Sequence, residues 1–132
     1  MSLEQRQQQG RALLEAMLGE DRTTKTLEHW EQICPAFGEY VEGFVFGEIW
    51  NRPGLDRRTK SLITIAVTAA LGRQRAMELN IQMAEQAGSS KEEVMEALLQ
   101  VAPYAGFPAA WEGLAAASEI FADEAGADES KE

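Results

Sequence analysis

Glu48 stands between Phe46 and Trp50, with Phe44 just before them, in the stretch FGEIWNRPGLDRRTKSLITIA that runs from Phe46 to Ala66. A carboxyl group among rings loses hydration. Its pKa rises, and it can then give or take a proton near neutrality. Close behind come Arg52, Arg57, Arg58 and Lys60, four of the chain's twelve Lys and Arg residues. Three of them fall in the first turn of a helix, where the macrodipole is already positive and each cation costs about 0.3–1 kcal/mol. Something must compensate. Either Glu48, Asp56 or Glu39 pairs with them, or the helix N–H groups and guanidinium forks hold an anion such as a carboxylate. Arg57 and Arg58 cannot point the same way, so only one or two of the four would touch a ligand. Phe44, Phe46 and Trp50 are either core or the wall of a dry pocket that strengthens any charge inside it. Glu48 has a second reading as the i,i+4 partner of Arg52. The hydroxyl of Tyr104, in PYAGFP, is expected to find a backbone partner.

The elements that must position these residues all read as helices, because alanine and leucine dominate and alternating β-branched runs are few. The spacing predicts helices over 3–18 and 26–33, and a third opening at Pro35, whose missing N–H is harmless in a first turn. Pro53 and Gly54 end that helix. Asp56 is a suitable N-cap for a helix over 57–71, followed by one over 73–87. Ser90 with Glu93 makes a capping box for a helix to 101, PYAGFP reads as a turn, and a last helix runs from Pro108 to 125. From Leu62 to Leu71 the central helix is apolar nearly all round, which predicts burial on every side, with another subunit supplying part of the cover. The fold class is all-α, six or seven helices in a single domain over 1–125, with a polar frayed tail over 126–132.

Charge and composition narrow the function. The chain has 132 residues and a net charge of −10. That disfavours nucleic acid, which needs a basic face, and an anionic membrane surface. No apolar run reaches the ~18 residues of a membrane span. Cys34 and His29 are the sole cysteine and histidine, so no disulfide, CxxC redox pair or zinc site is expected. The N-terminal stretch lacks the basic start and apolar run of a signal peptide. A cytoplasmic location is therefore the default.

The run GEIWNRPGLDRRTKSLITIA resembles the W-G-D/E-I-W-x-R-P-G-L-x-x-x-x-R/K-S-L stretch of the carboxymuconolactone decarboxylase family. EEVMEALLQVAPYAGFPAA resembles that family's E-E-I-x-E-x-x-x-Q-x-x-x-Y-x-G-x-P-A-A stretch. QQQGRALLEAMLGED, near the N-terminus, also fits. The resemblance implies an alkylhydroperoxidase D-like helical fold, a homo-oligomer (hexamer or trimer), and no cofactor or metal. It also implies a small or polyketide-like carboxylic acid or lactone as substrate, acted on by decarboxylation, isomerisation or cyclisation. The family's E-L-x-L-H falls on AMELN, so its Glu is Ala76 and its His is Asn80; a further family His is Phe44, and the first Trp of the W-G stretch is Phe46.

On that resemblance Glu48 moves protons, and Arg52 with one of Arg57 or Arg58 holds a carboxylate. Asn80 donates to a developing enolate oxygen, and Phe44, Phe46 and Met77 give a more apolar pocket. The reading requires the guanidinium groups to face an enclosed hollow. Two alternatives are the family's parent decarboxylase activity and a non-catalytic oligomer that binds a ligand or partner. Peroxidase chemistry at Cys34 ranks below them, since no resolving cysteine exists.

Overall fold

Ser2 opens the first helix, α1 (Leu3–Leu18), through a capping box: its hydroxyl accepts from the Gln5 N–H and the Gln5 side chain accepts from the Ser2 N–H. The computed structural model describes residues 1–130, in which all regular elements are helical. The chain divides into two units, Met1–Asp56 and Arg57–Glu132, with the boundary just past the Pro53–Gly54 turn.

The first unit continues with α2 (Glu20–Ile33), α3 (Pro35–Tyr40) and a π-helical segment (Val41–Ile49). The helix over 26–33 thus begins six residues earlier than expected, directly after Gly19, whose φ of 85° ends α1 and lets the next helix start at once. In the π segment the ladder shifts to i→i+5, and the Trp50 N–H donates to the Val45 carbonyl at 2.9 Å. The Asn51 amide closes its end by donating to the Phe46 and Gly47 carbonyls. Two glycines allow α1 and the π segment to touch backbone to backbone. A Cβ at Gly10 would overlap the Glu42 carbonyl, and one at Gly47 would overlap the Arg6 carbonyl. Leu13, Leu14, Met17, Leu18, Leu27 and Phe46 are buried in this unit.

Glu42 is the strained charge of the π segment. Burial raises its pKa; Arg11, with Nη1 3.9 Å from the carboxylate, opposes the rise and Glu31 adds to it. The folded state therefore holds the Glu42 proton more tightly than the unfolded chain does. Stability from this group falls as pH climbs from the ordinary glutamate range to the raised value. Glu42→Gln should flatten that part of the stability profile. Urea midpoints for the two proteins across pH 4–7 should converge at the acid end, with the wild type losing ground as pH rises; parallel profiles would show that Glu42 is not the group.

The second unit comprises α4 (Arg57–Ala70), α5 (Gln74–Met83), α6 (Lys91–Ala105) and α7 (Phe107–Ser130). Its core gathers Ile65, Ala69, Met77, Ile81, Val94, Leu98, Val101 and the alanine face of α7. Alanine on α7 lets that helix approach closely, and Gly113 does so most: a Cβ there would lie 2.6 Å from Leu98 Cδ2.

Several boundaries differ from the sequence reading. Pro103, Tyr104 and Ala105 belong to α6, and the break is supplied by Gly106 at φ 105°. The α5 helix stops at Met83 and gives way to turns before Gly88. The last helix passes Gly126 and reaches Ser130, so that part of the expected tail is helical; residues 131–132 lie outside the described residues. Along α4, Ile63 and Val67, with Leu71 just past its end, are 47%, 48% and 61% exposed among the described residues, on the helix whose cover the sequence reading assigns in part to another subunit.

Candidate functional site

The first unit brings together Phe44, Phe46, Glu48 and Trp50 on or beside the π segment, a rare conformation that concentrates at functional sites. Phe46 and Trp50 stack with ring centroids 5.7 Å apart and planes at 21°. Phe46 is buried and Phe44 is half exposed, so one ring is core and the other remains available to a hollow. Glu48 pairs with Arg6 on α1, whose Nη1 donates to Oε2 at 3.2 Å. Its partner is thus a residue 42 positions away in sequence, across the glycine-lined contact of α1 and the π segment.

A hollow of about 330 Å³ opens at Arg6, lined by Leu3, Arg6, Glu39, Tyr40, Gly43 and Phe44. It is mostly apolar, and Arg6 is its one cation. Arg6 Nε is shut off from solvent without a hydrogen-bond partner among the described residues. Arg6 was not singled out in the sequence. The signal available was the small residues Gly10, Gly43 and Gly47, which mark where α1 can reach the π segment closely enough to bring Arg6 to Glu48.

The basic cluster is divided between the two units. Arg52, Arg57 and Arg58 are exposed residues. Arg58 pairs with Glu93, the residue that also closes the α6 capping box with Ser90. That pairing compensates one of the cations at the α4 start, through a partner other than Glu48, Asp56 or Glu39. Arg52 and Lys60 have interactions of their own.

In the second unit Asn80 is buried, and its amide donates to the Ala76 carbonyl at 2.8 Å. One amide hydrogen is committed to its own helix, leaving the other as a donor. Met77 is core, and Glu78 bonds Gln74 along the outer face. Tyr104 is 84% exposed; it lines a shallow apolar groove with Val67, Ala97 and Val101. Among the described residues no three or more His, Cys, Asp and Glu side chains gather as metal ligands. No described helix is long and apolar enough to cross a membrane.

Sequence comparison identifies the family of this all-helical chain. Residues 35–119 match the carboxymuconolactone decarboxylase family, and the chain belongs to that family. It is 37% identical over 123 residues to the 4-carboxymuconolactone decarboxylase of Acinetobacter baylyi, covering 93% of this chain and 92% of that one. It is 29% identical over 100 residues to the nitrosuccinic acid decarboxylase of Metarhizium robertsii, covering 74% of this chain and 68% of that one. An uncharacterised protein of Paracoccus denitrificans is 30% identical over 105 residues, covering 74% and 78%.

Proposed function

We propose that this protein is a cytoplasmic, cofactor-free decarboxylase of a small carboxylic acid or lactone, with Glu48 moving the proton. The observation that carries the reading is the Arg6–Glu48 pair beside an apolar hollow whose wall includes Phe44. Loss of CO2 leaves an electron pair that must be taken into a conjugated acceptor and then protonated at carbon. Glu48, held by the Arg6 that lines the hollow, is the side chain that relays this proton from solvent to carbon. Phe44, at a position where the resemblance implies a histidine, favours a different acid from that of the parent enzymes. The relative from M. robertsii supports such a spread, since its name gives it a substrate other than a muconolactone.

A second reading, the parent activity on 4-carboxymuconolactone, is favoured by the 37% identity spanning nearly all of both chains. One screen separates the two. The protein is incubated with 4-carboxymuconolactone and with small aryl and alkenyl acids, and CO2 release and thermal shift are recorded. Turnover of the lactone supports the parent activity, and turnover confined to the other acids supports the changed substrate. Absence of CO2 from every acid contradicts both.

The reading includes a homo-oligomer in which a second copy covers the Ile63–Val67–Leu71 stripe. Sedimentation should then show an assembly, and Val67→Lys should shift it toward monomer, because a charge at the centre of an apolar contact is left without a partner. A sedimentation coefficient unchanged by Val67→Lys would place the contact elsewhere.

A further inference from the structure

We infer that Arg6, rather than a member of the basic cluster near the Pro-Gly turn, receives the carboxylate of a ligand, and that the hollow it lines takes an acid with one carboxylate and a flat apolar body. The inference deepens the decarboxylase reading and rests on it for the role of Glu48, although its binding arm can be measured alone.

The argument begins with donors. A guanidinium carries five N–H donors and no acceptor. For Arg6 the pairing found among the described residues is the single bond from Nη1 to Glu48, with Nε enclosed and unpaired. The side chain is 34% exposed, so its head is held by α1 and Glu48 yet still open to a ligand. A planar fork with unused hydrogens matches a carboxylate, which it can bind by two parallel bonds. Arg58, by contrast, is already engaged by Glu93.

The walls set the rest of the ligand. Leu3, Tyr40 and Phe44 are apolar or aromatic, and Gly43 contributes no side chain. A volume of about 330 Å³ lies at the small end of ligand sites and suits a ring-sized body. Glu39 is the hollow's one acidic lining residue. Like charges repel in a poorly hydrated recess, so a second carboxylate on the ligand is disfavoured there. Phenylalanine at position 44 gives this wall no hydrogen-bond donor and no cation for a second carboxylate, which moves selectivity in the same direction.

The test uses the full-length protein and equilibrium calorimetry with benzoate, benzamide and terephthalate as unreactive probes. Benzoate should bind and the uncharged benzamide should bind at least tenfold more weakly. Terephthalate, with its second carboxylate, should also be weaker. Arg6→Gln should weaken benzoate by about tenfold or more, since a charge-assisted fork is lost, whereas Arg52→Gln should leave it unchanged. Glu48→Gln keeps Arg6 and removes its competing carboxylate, so benzoate affinity should hold or rise. This variant also guards against a folding defect in Arg6→Gln, because a merely structural ion pair would make both variants lose affinity alike.

Failure of benzoate to bind, equal binding of benzamide or terephthalate, or a loss in Glu48→Gln matching that in Arg6→Gln overturns the assignment. Turnover that depends on Glu48 while benzoate binding ignores Arg6 removes the Arg6 site alone. Benzoate binding that depends on Arg6 with no CO2 from any acid removes the decarboxylase reading instead.

Discussion

Glu48→Gln should lower the rate of CO2 release by about 10²–10⁴-fold, the usual loss when a general acid–base is removed. Glutamine keeps the length and can still accept from Arg6 Nη1, but it carries no titratable proton. The fold should survive. The Arg6 and Glu48 side chains are 34% and 44% exposed, and ion pairs in that setting contribute about 0–1 kcal/mol. Glu48→Asp should fall between the two, since it retains the acid and withdraws it from the carbon to be protonated. Steady-state rates measured beside thermal melts check this. Equal rates for wild type and Glu48→Gln would place the proton transfer on another group.

The largest stability effect is expected at Gly10. Its missing side chain lets the α1 backbone rest against the π segment, and a Cβ would meet the Glu42 carbonyl and the Gly47 nitrogen. Backbone atoms cannot swing aside as the end of a lysine can, so α1 must shift. Overpacking of this kind costs about 3 kcal/mol. It would also pull Arg6 away from Glu48, so activity should fall even in the molecules that remain folded. Gly54→Ala is the control, because nothing lies within 4 Å of a Cβ there. Urea unfolding should separate the two variants clearly. A Gly10→Ala midpoint as high as that of Gly54→Ala would contradict the close helix contact.

Much of the fold was legible because local chemistry specifies it. The α6 start follows from Ser90 and Glu93, whose reciprocal bonds are present, and the α1 limits from its apolar stripe and Gly19. The all-helical class needed little more than alanine, leucine and the punctuation of glycine and proline. The π segment was not legible, since the shift from i→i+4 to i→i+5 has no residue code of its own. It arises where Gly43 and Gly47 pack on α1, a long-range event.

The partners of charged groups were hidden for the same reason. Arg6 with Glu48, and Arg58 with Glu93, are pairings between helices, while the sequence reading offered the cluster only Glu48, Asp56 or Glu39, all on the N-terminal side of its helix. Glu48 itself could be selected because its ring-rich surroundings are local. The outward stripe of α4 is in keeping with the reading that a helix apolar nearly all round takes part of its cover from another subunit.

The central claim is that the proton which replaces a departing CO2 passes through Glu48. Its most direct test is the ratio of CO2 released to acid consumed, measured with wild type and Glu48→Gln on the best substrate from the screen. The account predicts one CO2 per molecule consumed by the wild type, with Glu48→Gln slower by about 10²–10⁴-fold at the same ratio. Consumption without CO2, or equal release by the two proteins, would contradict it.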